Sequence, residues 1–169
     1  MLHERGIGWI QQMILPHFWG RNERSLGLTI IELLIVVMIM GTLASLGVPL
    51  YANTLNNARI TKAVADIRVM EREILVFQLQ NGTFPNSLIQ IGRDTFRDPY
   101  GNPYWYLKVE GAKIGDLRKD AKLVPINSDF DLYSMGSDGQ SVSALTAKQS
   151  WDDIVRASNG GYVGIASEY

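Results

Sequence analysis

The sequence predicts an α+β fold: a long protruding N-terminal α-helix, its first half transmembrane, packed on a small antiparallel β-sheet domain with a C-terminal loop region. Three observations carry this. Residues 33–50 form an apolar run about as long as the ~20 residues a membrane helix requires. Helical spacing then continues to residue 80 with no breaker except Pro49. Beyond Asn81-Gly82, short aromatic and β-branched stretches alternate with turn clusters.

Residues 1–27 mix Arg5, Arg21, Arg24, Glu4 and Glu23 with apolar patches, and Gly6, Gly8, Pro16 and Gly20 interrupt any periodic pattern. This stretch does not read as a folded element. Within residues 28–51 the one side chain charged at neutral pH is Glu32. Ten Leu, Ile or Val residues between Leu33 and Leu50 offer roughly −3 to −6 kcal/mol toward insertion, against about +2.5 to +3.5 kcal/mol for a central charge. The span is marginal and tolerable because Glu32 lies near its end. Arg21 and Arg24 before the span and Arg59 and Lys62 after it leave orientation open.

Leu55, Ala58, Ile60, Ala63, Val64, Ile67, Met70, Ile74 and Phe77 recur at three- and four-residue steps, with polar residues largely between them. That is an amphipathic continuation of the same helix, predicted over residues 29–80 and roughly 75 Å long at 1.5 Å per residue. Pro49 lacks an amide hydrogen and is expected to bend or loosen it. The charges Arg59, Lys62, Asp66, Arg68, Glu71, Arg72 and Glu73 read as a solvated face. Strands are predicted at 104–109, 122–126, 129–135 and 162–166, and short helices at 87–91 and 152–157, the second closed by Asn159-Gly160-Gly161. Tyr100, Tyr104, Trp105 and Tyr106 read as core and turn packing, and Asn81-Gly82-Thr83 as a turn.

Composition excludes much of enzyme chemistry. The chain has 169 residues, no cysteine and two histidines, His3 and His17, both ahead of the apolar run. Thiolate metal sites, disulfides, cysteine nucleophiles and histidine dyads in the folded domain are therefore not available to it. Lys+Arg 16 against Asp+Glu 17 gives a net charge of −1 and no electrostatic basis for binding nucleic acid. No phosphate loop, dinucleotide fingerprint or nucleophile elbow is found.

Gly27-Leu28-Thr29-Ile30-Ile31-Glu32, followed by the apolar run and Pro49, resembles the processing site of type IV pilins and pseudopilins. The resemblance implies a prepilin leader, residues 1–27, cut after Gly27 by prepilin peptidase, with N-methylation of Leu28. It implies a transmembrane assembly helix, 28–51, and a periplasmic globular domain, 52–169, anchored in the bacterial inner membrane. An isolated carboxylate in hydrocarbon must neutralise or find a cation. In this family that cation is the new α-amino group of a neighbouring subunit, so Glu32 sets registry, with Thr29 and Pro49 as further assembly positions. The 27-residue leader is long for the family, and Met13 is the start that would shorten it.

Asn81-Gly82-Thr83-Phe84-Pro85, Asp98-Pro99-Tyr100-Gly101-Asn102-Pro103-Tyr104 and the run from Asp129 through Tyr133, Met135 and Ser137-Asp138-Gly139 resemble the major pseudopilin of type II secretion. In that subfamily calcium holds the last loop. The resemblance implies Asp138, the Met135 carbonyl, Asp152 or Asp153, and Ser150 or Trp151 as ligands. Six to eight oxygens are needed, and residues 140–149 replace the shorter acidic segment of the family. The other reading makes Ser137-Asp138-Gly139 a turn and Asp152 a cap. An EF-hand is excluded, because Ser134 and Gln140 stand where glycine and glutamate are required.

The expected function is a structural subunit of the secretion pseudopilus, a homopolymer working with an assembly platform and minor pseudopilins, and no enzyme. A type IV pilin for adhesion or motility and a monomeric membrane-anchored calcium-binding module are the alternatives.

Overall fold

The computed structural model describes residues 27–169. The leader reading, the Met13 start and both histidines lie outside the described residues. The chain divides into two compact units at Ala44–Ser45.

Helix α1, opened by Thr29 in the first unit, spans Ile30–Asn81, running on into the second, and remains helical through Pro49. Every residue from Gly27 to Arg59 is exposed. Leu33, Val37, Met40, Leu43, Leu46 and Leu50 each leave more than half of their surface uncovered. A continuous apolar surface of this kind is characteristic of segments that meet lipid or another chain, and α1 is long and apolar enough to cross a membrane.

In the second unit, the expected apolar stripe on α1 is buried from Ala63 onward: Ala63, Ile67, Met70 and Ile74 are fully covered, whereas Leu55 and Ala58 stay exposed. The helix ends at Asn81, where Gly82 takes φ 74° and donates its amide to the Gln78 carbonyl at 2.8 Å. Glycine adopts this left-handed conformation without a Cβ penalty. A short 3-10 turn, Leu88–Ile91, follows.

Four strands form one antiparallel sheet in sequential order: β1 Trp105–Lys108, β2 Phe130–Ser134, β3 Ile154–Ala157 and β4 Tyr162–Ile165. Trp105 pairs with Tyr133, Tyr133 with Val155, and Val155 with Gly164. One face carries Phe130, Leu132 and Ile154 against Ala63, Ile67, Met70 and Ile74 of α1, with Tyr104 and Leu88. Each large apolar side chain buried there contributes about 1.5–3 kcal/mol. The opposite face carries Val155 and Ala157 under Ile126, Leu145 and Ala166.

Two expected elements are corrected. Residues 152–157 are not a helix, because Ile154–Ala157 is the interior strand β3 and Asn159-Gly160 makes the β3–β4 hairpin, with Asn159 at φ 53° and Gly160 at φ 90°. Ile154 faces α1 and Val155 the other cluster, so both faces are buried and the alternation that marks a strand is absent. Residues 122–126 are not a strand either. The Asp120 carboxylate accepts the amides of Lys122 and Val124 at 2.8 and 2.9 Å, Leu123 takes φ 60°, and only the single bridge Lys119–Pro125 remains. A side chain that captures those amides makes a turn, not a ladder.

The solvated charge face is also partly corrected. Glu71 is buried and pairs with Arg156 at 2.7 Å, Glu73 pairs with Arg93, and Asp66 accepts the Tyr104 hydroxyl at 3.0 Å. The Tyr104 hydroxyl resists ionisation, chiefly through burial and then through Asp66. Tyr106 donates to the Pro85 carbonyl at 2.7 Å, and Tyr100, Tyr104 and Tyr106 pack on the core as expected, whereas Trp105 on β1 leaves half of its surface uncovered.

Candidate functional site

Two places concentrate the sequence signals. At the helix start, Thr29 and Glu32 form a reciprocal capping box. Glu32 Oε2 accepts the Thr29 amide at 2.9 Å and its hydroxyl at 2.8 Å, while the Glu32 amide donates to Thr29 Oγ1 at 3.2 Å. Two of these bonds satisfy backbone amides that a helix N-terminus otherwise leaves open, and the third ties the two side chains together. Thr29 is thus the cap that fixes where the carboxylate stands, three residues beyond it. Gly27 and Leu28 precede the helix in exposed backbone, Leu28 with 79% of its surface uncovered. Pro49 lies within α1.

The second place is the C-terminal loop, where the six residues implied as calcium ligands separate into groups, Trp151 standing exposed with its indole N–H donating to the Thr146 carbonyl at 3.0 Å. Asp152 Oδ2 accepts the Ser137 amide and hydroxyl, both at 2.7 Å, and the Asp138 amide at 3.1 Å. The Asp138 carboxylate accepts the Gln140 amide at 2.8 Å. Met135 leads from β2 into Gly136 at φ 64°. Ser150 turns elsewhere: its hydroxyl bonds the Val142 amide and carbonyl at 3.0 and 2.9 Å.

Asp153 is fully buried and pairs with Arg118 at 2.5 Å. Ser141 donates to the same Asp153 oxygen at 2.6 Å, and Arg118 also donates to Ser141 Oγ and to the Val142 carbonyl. The Arg118 guanidinium lies 4.3 Å from the centre of the Tyr133 ring. Burial pushes the Asp153 carboxyl up to about 6, against the pull of Ser141 and Arg118. Arg118 Nε and Asp153 Oδ1 are left without a hydrogen-bond partner among the described residues. No group of three or more His, Cys, Asp or Glu side chains among the described residues is arranged to hold a metal.

Gly136 permits the close approach of the two loop segments. A Cβ there would collide with the Asp152 carbonyl oxygen and meet its carboxylate at 2.6 Å. Gly82 has a similar φ, 74°, with nothing within 4 Å of the position. Gly82→Ala is therefore expected to cost about 1 kcal/mol from backbone strain alone. Gly136→Ala is expected to cost at least twice that, roughly 2–4 kcal/mol, because the collision adds to the strain. Thermal unfolding of the full chain in detergent checks the difference, and equal losses would refute the packing role of Gly136.

A capped acid opening a long apolar helix, and that helix packed on a four-stranded antiparallel sheet, define the pilin-like class of membrane-anchored proteins. Over 141 residues the chain is 30% identical to the type II secretion system core protein G of Pseudomonas aeruginosa, covering 71% of this chain and 88% of that protein. The proteins of the same name from Vibrio cholerae and Dickeya chrysanthemi are 30% and 36% identical over 131 and 119 residues, covering 86% and 74% of their lengths and 71% and 70% of this chain. The chain belongs to this family, the major pseudopilins of type II secretion. No family model and no solved structure matches it.

Proposed function

We propose that this chain is the structural subunit of a type II secretion pseudopilus, made as a precursor, cut between Gly27 and Leu28 by prepilin peptidase and N-methylated at Leu28. The subunit waits in the inner membrane with residues 52–169 in the periplasm. An assembly platform then extracts it into a filament that drives export of folded proteins, with minor pseudopilins as further partners. Its part is mechanical, and no step of it calls for a catalytic residue.

The observation that supports this best is the uncovered apolar stretch of helix from Ile30 to Leu50, headed by a carboxylate at a fixed place. Lipid covers such a surface before assembly, and neighbouring helices cover it afterwards. Glu32 is costly in lipid unless a cation meets it, and the amine released at Leu28 on a neighbouring copy is that cation. Thr29 holds the acid at the helix tip, and Pro49 accommodates the helix where it leaves the apolar run.

Electron microscopy of cells overproducing the chain together with a type II secretion assembly system tests the proposal. Periplasmic filaments containing the chain are expected. A chain that is processed and stable yet remains monomeric would overturn it in favour of a membrane-anchored module, and adhesive surface fibres made by the native host would favour a type IV pilin.

A further inference from the structure

The resemblance implies calcium in the C-terminal loop, but the residues that would bind it fall into separate groups, Asp138 and Asp152 meeting at Ser137 while Asp153 turns to a fixed cation, Arg118. We propose that the Arg118 guanidinium takes the structural place of a divalent cation, so that an internal ion pair closes the loop and the fold needs no calcium.

Four observations carry the proposal. Arg118 binds a hydroxyl, a carbonyl and a carboxylate, from Ser141, Val142 and Asp153. These are the oxygen classes a calcium ion gathers from a loop. Two of the three come from residues 140–149, the segment in which the chain departs from the family pattern. The backbone beside the arginine is tied to that same segment: the Lys119 amide donates to the Ser143 carbonyl at 2.7 Å, and the Leu145 amide to the Lys119 carbonyl at 2.9 Å. The insertion and the arginine therefore work as one unit.

Charge and stoichiometry point the same way. Arg118 and Asp153 are 2% and 0% exposed, and at such depth a divalent ion sharing the Asp153 carboxylate would be repelled strongly by the guanidinium. Within the Arg118 pocket, the carboxylate oxygen left over, Asp153 Oδ1, is one donor where six to eight are needed. Asp152 contributes to loop closure from the other side, its Oδ2 already facing three N–H and O–H donors. Donors aimed at an oxygen point their positive ends where a cation would have to sit.

The test compares the full chain, purified in detergent, in calcium and in EGTA, with thermal unfolding and calorimetric titration of calcium as readouts. The wild-type midpoint is expected to be the same in both buffers, with no stoichiometric calcium binding. Arg118→Met is expected to lower the midpoint by about 10 °C in both, since it strands a buried carboxylate. Should that variant fail to fold, Arg118→Lys keeps the charge but loses the three-oxygen fork, and a smaller loss of midpoint in both buffers is expected. A wild-type midpoint that falls in EGTA, stoichiometric calcium binding, or an Arg118→Met chain as stable as wild type would each overturn the proposal.

Discussion

Changing Glu32 to Gln is expected to abolish filament formation while leaving the chain folded, processed and in the membrane. The choice of glutamine matters. Glu32 is half of a capping box with Thr29, and glutamine serves as well as glutamate in that role. Replacement by alanine would also remove the carboxylate half of the box, leaving the Thr29 amide and hydroxyl without their acceptor, and confuse two causes. Glutamine removes only the charge. A carboxylate and an amine about 4 Å apart in surroundings of effective dielectric near 20 attract by about 4 kcal/mol, which corresponds to roughly a thousandfold in subunit association. Repeated at every subunit addition, a loss of that size prevents growth. Counting filaments per cell by electron microscopy, with membrane levels of the chain matched by immunoblot, checks the result. Normal filament numbers would mean that Glu32 acts only as a cap.

The second large effect lies in the link between helix and sheet. Arg156 is 1% exposed, bonds Glu71 on α1 at 2.7 Å and Asp129 at 2.6 and 2.8 Å, and lies over the Phe130 ring at 3.9 Å. Burial works against its charge, and the two carboxylates more than offset that. Gly160 belongs to the same arrangement, since a Cβ there would strike the Glu71 carboxylate, and its carbonyl accepts from Arg68 at 2.6 Å. Arg156→Met keeps much of the apolar stem yet leaves Glu71 and Asp129 uncompensated, and should cost about 3–5 kcal/mol. The corresponding fall in melting midpoint is about 10–15 °C. Removing the Glu71 charge as well, by Glu71→Leu, should restore part of that loss, because the penalty belongs to the stranded carboxylate and not to the missing pair. Strict additivity of the two substitutions would contradict this account.

Both networks show where the sequence is readable and where it is not. The long helix, its stop at Asn81-Gly82 and strands β1, β2 and β4 follow from local signals: periodicity, turn residues and aromatic content. Strand β3 hides because Ile154 and Val155 are buried on opposite faces, so four residues show neither alternation nor helical spacing long enough to discriminate. The 122–126 segment misleads because its β-like composition is overruled by one upstream carboxylate, Asp120. Through the resemblance, and not through their three-residue capping spacing, Thr29 and Glu32 were singled out. Arg118 was not. Its partners Ser141, Val142 and Asp153 lie more than twenty residues away, and no local pattern announces a pairing made by the fold. A charged residue set between apolar neighbours is a signal for Arg156, between Val155 and Ala157, but not for Arg118, which Lys119 follows.

The account depends on an intermolecular match between Glu32 and an amine that exists only after cleavage, and the terminal residue of assembled chains tests it most directly. N-terminal sequencing and intact-mass measurement of protein recovered from purified filaments should find Leu28 first, carrying one added methyl group. Filaments built from chains that still begin ahead of Gly27 would contradict it.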